Sequence, residues 1–429
     1  MPLLLARKYR RMAEDAFAFF RGSGHLFHAD FPRGLKRFPT VWLNGDLHLE
    51  NFGTYRGENR LTYFDIGDFD EGALGPASRD LLRFLTALHL AAPLLEITAA
   101  KAGQLAKTYL AAYRDALSGG KALWLERHLA KGLIGDLMLK LDKRLVEGPD
   151  GSAWLRSRIT GFPARKKPHQ KQAGGNFGPD KDTRRLRVDT GKGMPAPKTA
   201  RRAIEKAIRQ IAWQQRSLGH GKWQILDVTW RIAGLGTLGL PRFAILIRVS
   251  PNREGGIALT TERDLLLLDL KLQPGSAMAP HLKKQPRFAS QADRVVAIEN
   301  RLQAISPAFL TAIQIDGQNY TLRELQPEAD KLDLKQIMAE QGQLNFDDVQ
   351  QAIDTMGRLT AWAQLRSAGR QGSVEADALI DFGGRSAWVA DLLDAAARMA
   401  AHGTENWLAC QTWLRDEAER LAPFVVGSV

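Results

Sequence analysis

The stretch that most constrains this chain is Val41–Arg83, VWLNGDLHLENFGTYRGENRLTYFDIGDFDEGALGPASRDLLR. Two short apolar runs, Thr40–Leu43 and Leu61–Ile66, have strand composition, and each leads into a polar loop. The first loop carries Asp46, His48 and Asn51 after Gly45, a residue that permits a tight turn. Asp65 closes the second run, and Asp68, Asp70 and Glu71 follow it. A polar turn at 56–60 separates the two. Hard cations such as Mg²⁺ take oxygen ligands, usually one or two carboxylates completed by substrate phosphates. Taken singly, each Asp also fits a solvated acidic turn, since a motif match is only a hypothesis. It is the combined spacing of Asp46, Asn51 and Asp65 that points to metal–phosphate chemistry.

The chain has 429 residues, enough for a sizeable core and for two or three structural units. A single cysteine, Cys410, excludes an intrachain disulfide and a multi-cysteine metal cluster. The opening MPLLLARKYRRMAED has too short an apolar run for a signal peptide. No apolar run approaches the roughly 18 residues of a membrane span. A cytoplasmic protein with no membrane partner is therefore expected. Gly161–Arg202 holds twelve Lys/Arg against three Asp, nine of the thirteen net positive charges. This basic, Gly- and Pro-containing segment (161–204) reads as a solvated connector. Its charge also suits nucleic acid or an anionic substrate, but only Phe162 and Phe177 offer stacking there, so nucleic-acid binding has weak support.

On either side of the connector the periodicity is helical. Ala6–Phe20 places Tyr9, Met12, Ala13, Ala16, Phe17 and Phe20 on one face. Further helices are expected from Ser78 or Asp80 to about Leu95, and over 98–117, 123–145 and 198–217. Late in the chain, 291–305, 346–367 and 386–421 read as helices, with Trp362, Trp388, Trp407 and Trp413 in the core. Residues 223–249 are β-rich, with strands flanking Gly234-x-Gly236-x-x-Gly239. The glycines run into Pro241 and another strand instead of opening a helix, which argues against a dinucleotide-binding turn and leaves an ordinary hairpin open. LLLLDLKLQ (265–273) is a further strand. Its period of two puts Leu267, Asp269 and Lys271 on one face and Leu266, Leu268 and Leu270 on the other. A last strand, 319–325, ends before Pro327.

GDLHLEN resembles the H-G-D-x-x-x-x-N catalytic loop of the aminoglycoside and choline kinase-like phosphotransferases, with Asn44 where the family has His. FDIGD resembles their I-D-x-x-D metal segment, and GPASRDL their G-x-P-x-x-D-L run. The resemblance implies that Asp46 is the catalytic base, grouped with His48. It makes Asn51 and Asp65 the Mg²⁺ ligands with Asp68 as an accessory, and Asp80 a buried structural carboxylate. The whole chain is also similar to the bacterial family called domain of unknown function 2252: RKYRRMAEDAFAFFRG, NGDLHLENFG, FDIGDFDEGALGP, GLGTLG, LLLDLK and LRELQP occur in its order.

By the same resemblance, Gly234, Gly236 and Gly239 cover ATP phosphates, and Lys271 pairs with them, helped by Glu299. Backbone groups at Glu324 and Leu325 form a hinge for adenine. These parts stand in permuted order: catalytic loop first, Gly loop and Lys after it. Such a rearrangement is tolerated where domain termini lie close together. The expected fold is therefore α+β, a circularly permuted, protein kinase-like, two-lobed fold. Residues 1–160 carry the catalytic and metal loops, 205–330 form a nucleotide-binding β lobe, and 331–429 complete the helical lobe.

The expected function is an ATP- and Mg²⁺-dependent phosphotransferase acting on a hydroxyl-bearing small molecule or protein, with nucleotidyl transfer an open variant. Two alternatives fit part of the pattern. One is a nucleotide-binding pseudokinase or nucleic-acid-binding scaffold. The other is a metal-dependent phosphohydrolase using Asp46-x-His48, which lacks the further His ligands such a site needs.

Overall fold

The computed structural model describes residues 2–151, 153–160, 184–217, 222–250, 265–283, 285–327 and 330–417. The N-terminal helix expected over 6–20 is two helices, α1 (Pro2–Glu14) and α2 (Ala16–Gly22). Asp15 breaks them: its backbone is extended, and its side chain accepts the Ala18 N–H at 2.6 Å as an N-cap. After α3 (Gly24–Ala29) come four short strands, β1 (Thr40–Leu43), β2 (Phe52–Arg56), β3 (Thr62–Ile66) and β4 (Ala73–Pro76). β1 pairs antiparallel with β4, and β2 with β3, so both polar loops hang from paired backbone.

α4 (Ser78–Ala91) and α5 (Ala99–Ser118) follow, then α6 (Gly132–Gly151) and α7 (Ala153–Arg158). The helix expected from Leu123 begins nine residues late. Gly132 sits at φ +54°, a left-handed value that interrupts any helix running through it. Short β5 (Ile159–Thr160) and β6 (Arg185–Leu186) pair with each other. β7 (Gly193–Pro195) and the start of α8 (Lys198–Ser217) both fall inside the segment expected to be a connector. β7 is the edge strand of the main sheet, so that part of the segment is structural; 161–183, with Phe162 and Phe177, lie outside the described residues.

The main sheet comprises β7, β8 (Lys222–Arg231), β9 (Arg242–Ser250), β10 (Leu265–Leu272), β11 (Thr311–Ile315) and β12 (Gln318–Glu324), in the order β11-β12-β10-β9-β8-β7. The alternation read in β10 holds. Leu266, Leu268 and Leu270 join a core under α8 with Ile204 and Ile208, while Leu265 and Leu267 pack on the opposite face with Ile159 and Leu246. α9 (Gln291–Leu302) lies against β12 and β11. The chain closes with α10 (Leu334–Gln341), α11 (Phe346–Arg366), α12 (Ala376–Gly384) and α13 (Ala387–Asp416). α11 and α12 pack on α5, and α13 on α4, so elements from both ends of the chain build one helical core. Trp362 and Trp388 pack against that core, whereas Trp413, expected inside, is 48% exposed. The fold is mixed α+β.

Candidate functional site

Asp80, in the first turn of α4, holds the loop after β1 in place. Its two carboxylate oxygens accept the Asn44 and Gly45 N–H groups, each at 2.8 Å. Gly45 stands at φ +88°, and a Cβ there would lie 2.3 Å from the Glu71 carbonyl oxygen, so the position admits no side chain. Asn44 takes up a bridging task. Its Nδ2 donates to the Gly67 and Asp68 carbonyls at 3.1 and 3.0 Å, and its Oδ1 accepts the Asp46 N–H. Asn51 ties the loop's far end back: its Nδ2 donates to the Asp46 carbonyl at 2.7 Å, and its own carbonyl accepts the Gly67 N–H. The two polar loops are therefore one hydrogen-bonded unit.

Within it, Asp46 presents a side chain that is 26% exposed. Arg83, fully buried one turn beyond Asp80, donates Nε and Nη2 to the single oxygen Oδ1 at 2.9 and 2.6 Å. The other oxygen, Oδ2, faces His48 Nε2 at 4.0 Å, beyond hydrogen-bond reach. Burial raises the Asp46 pKa above the usual carboxylate value, with Arg83 opposing the shift. Burial, reinforced by Arg21 and Lys331, drives the pKa of His48 well below its usual value, so the imidazole is neutral. Burial pushes Asp80 up to about 7 against the pull of its two backbone donors.

Several expected roles are redistributed. Asp65, assigned as a metal ligand, is buried and uses both oxygens on backbone: Oδ1 accepts the Ile66 N–H at 2.8 Å and Oδ2 the Ala304 N–H at 3.2 Å. Asp68 directs its carboxylate toward the sheet instead. Its backbone is left-handed (φ +59°), and its carboxylate meets Lys271 Nζ at 2.9 Å. Burial alone would raise the Asp68 pKa, but Lys271 and Lys331 outweigh it and hold the group well below the usual range.

Lys271 does face this loop, reaching across from β10 to both Asp68 and Asp70. Glu299 is not its partner: it pairs with Arg323 of the neighbouring strand at 2.9 Å, while Lys271 is taken by Asp68 and Asp70. Glu324 is held by Arg56 and Arg60, and its N–H goes to the Ala308 carbonyl. The Leu325 N–H goes to the Leu267 carbonyl at 2.8 Å, so neither residue has an amide free for adenine. Among the glycines, Gly234 (φ +81°) lines the cleft described next. Gly236 instead accepts Lys8 Nζ at 2.8 Å through its carbonyl, and Gly239 lies over Leu4 of α1.

A cleft of about 320 Å³ opens beside this unit, walled by Asn51, Gly67 and Asp68 below and Gly234, Arg242 and Arg323 above. α2 closes one side with Phe17 and Arg21, and Lys331 stands at another. Arg83 and Lys331 join this geometry without any motif announcing them, and Asp70, one of the carboxylates of the second loop, is drawn in through Lys271. Among the described residues no three His, Cys, Asp or Glu cluster as a complete metal cage. Asp68 and Asn51 both line the cleft, and carboxylate and amide oxygens are donor types that Mg²⁺ takes when phosphate and water complete its shell.

Among the described residues no helix is long and apolar enough to cross a membrane. No curated protein and no solved structure matches the chain. Residues 1–411 do match the family described as an uncharacterized protein conserved in bacteria (DUF2252), and the chain belongs to that family.

Proposed function

We propose that this protein is an ATP- and Mg²⁺-dependent phosphotransferase with a kinase-like, circularly permuted arrangement of parts. The observation that carries the reading is the convergence of Lys271 from the sheet on Asp68, beside an Asn51 amide fixed to the Asp46 carbonyl. Four residues suited to phosphoryl-transfer chemistry thus meet at one place, although some two hundred positions separate Lys271 from the others.

Asp46 is the base. Arg83 fixes Oδ1, which leaves Oδ2 to orient an acceptor hydroxyl and take its proton. The raised pKa makes Asp46 a stronger proton acceptor than an ordinary carboxylate. Neutral His48 packs edge-on against Phe17 and keeps a positive charge away from that oxygen. Asp68 and Asn51 would hold the metal, which supplies charge neutralisation on the phosphates when bound. Gly234 brings backbone to the same cleft. The acceptor is a hydroxyl-bearing small molecule or protein.

Calorimetry with ATP in Mg²⁺ and in EDTA tests the metal role; equal affinity in both would remove it from Asn51 and Asp68. Turnover is read as ADP or pyrophosphate release across acceptor pools, the product distinguishing phosphoryl from nucleotidyl transfer. Asp46→Asn should cut turnover by about 10²–10⁴-fold while leaving Mg-ATP affinity unchanged. Tight Mg-ATP binding without turnover would favour a nucleotide-binding pseudoenzyme, a reading that the double capture of Lys271 also fits.

A further inference from the structure

Among the cations that line the cleft, Arg11 is exposed on α1, Lys335 reaches Asp15, and the arginines deeper in the site are committed to carboxylates. Arg21 pairs with Glu50 at 2.7 Å, Arg231 and Arg242 with Asp269, and Arg323 with Glu299. Lys271, which stands outside the cleft lining, is shared between two aspartates. Lys331 differs. It lines the same cleft and lies in the field of Asp68, yet among the described residues no carboxylate approaches its Nζ within 4 Å.

Its position is built, not incidental. Lys331 forms an isolated β-bridge with Gly53, and the Leu332 N–H donates to the Phe52 carbonyl at 3.0 Å. Its own carbonyl accepts the Asp333 N–H at 2.9 Å. A Cβ at residue 53 would lie 2.6 Å from the Asp330 carbonyl and 3.1 Å from the Lys331 Cα, so only glycine lets this segment close on β2. Asp330 beside it is buried and paired with Arg144. The segment thus carries a lysine to the loop that bears Asn51 and leaves that lysine without a counter-ion. Burial lowers the pKa of Lys331, and an incoming anion would relieve that cost of desolvation.

Resting on the phosphotransferase reading, we propose that Lys331 is the phosphate-binding lysine of this site, its Nζ taking the terminal phosphates of a nucleoside triphosphate. Lys271, to which the family resemblance gives that contact, acts instead as the clamp that holds Asp68 and Asp70. An ammonium with no acid partner is the group that gains most from a phosphate, because no existing ion pair has to be broken.

Affinities for Mg-ATP, metal-free tripolyphosphate and adenosine are measured for wild type, Lys331→Met and Lys331→Arg. Loss of a charge-assisted bond to phosphate should weaken Mg-ATP and tripolyphosphate about tenfold or more in Lys331→Met. Adenosine affinity should not change, and Lys331→Arg should recover most of the loss. Wild-type affinity for Mg-ATP in Lys331→Met would overturn the inference while leaving the phosphotransferase reading intact. So would an equal loss for adenosine and tripolyphosphate, the mark of general damage to the cleft. If the wild-type protein binds neither Mg-ATP nor tripolyphosphate, both the inference and the reading beneath it fall.

Discussion

The two polar loops and the cleft-facing side of the main sheet manage buried charge in opposite ways. In the loops, carboxylates mainly hold backbone. Asp80 takes the Asn44 and Gly45 amides, Asp65 takes those of Ile66 and Ala304, and the Glu71 carboxylate takes that of Ala277. On the sheet, charge cancels charge: Asp269 sits between Arg231 and Arg242, and Arg323 meets Glu299. A carboxylate bonded to backbone defines a loop's shape and can leave one oxygen to spare. An ion pair neutralises both partners and leaves neither free. On the proposed function, the acceptor hydroxyl and the phosphates would meet the exceptions, Asp46 Oδ2 in the loops and Lys331 at the cleft wall, while Asp68, which meets Lys271 through Oδ1, would keep Oδ2 for the metal.

The largest expected effect comes from Lys271, whose ion pairs with Asp68 and Asp70 join the two regions. Lys271→Met should leave Asp68 and Asp70 facing each other without their cation, costing about 3 kcal/mol in chemical denaturation. A loss below about 1 kcal/mol would mean that the sheet does not neutralise the loop. The variant's remaining affinity for tripolyphosphate then separates a clamp from a phosphate ligand.

A smaller, pH-dependent effect should mark the loop side. The folded pKa of Asp80, about 7, lies above its ordinary value of 3.8. Between those values the folded state binds more protons than the unfolded, so Asp80's contribution is fully present below pH 3.8 and is lost as pH rises through 7. Melting temperatures of wild type and Asp80→Asn, followed from pH 4 to 8, should show a flatter fall in the variant. Parallel curves would show that the two backbone donors outweigh burial and keep Asp80 ionised throughout.

The smallest effect belongs to the contact between α1 and the Gly-rich loop. Lys8 Nζ donates to the Gly236 carbonyl at 2.8 Å, and Lys8→Ala should cost at most about 1 kcal/mol. Hydrogen exchange at residues 234–239 should nevertheless quicken. Unchanged protection there would show that the sheet orders this loop without help from α1.

Much of this arrangement was legible in the chain. The strand preceding Asp46, the helix opened by Asp80 and the two faces of LLLLDLKLQ follow from periodicity and turn chemistry, because these are local preferences. The pairing of Asp46 and Asn51 within one loop also survives in space. Asp65 and Asp68 could not be ranked by sequence. Both are carboxylates near one strand end, and only the left-handed turn at Asp68 aims the second at Lys271 while Asp65 is taken by the backbone of residue 304. Glu299 was the one Glu of the helix that follows Lys271, yet Arg323 of β12 claims it. Arg83 and Lys331 had no motif at all. What a residue is, and which face of its own element it occupies, is decided within a few neighbours. Which charge meets which across hundreds of positions depends on how elements pack, and for Lys331 that is the closure of a segment over Gly53.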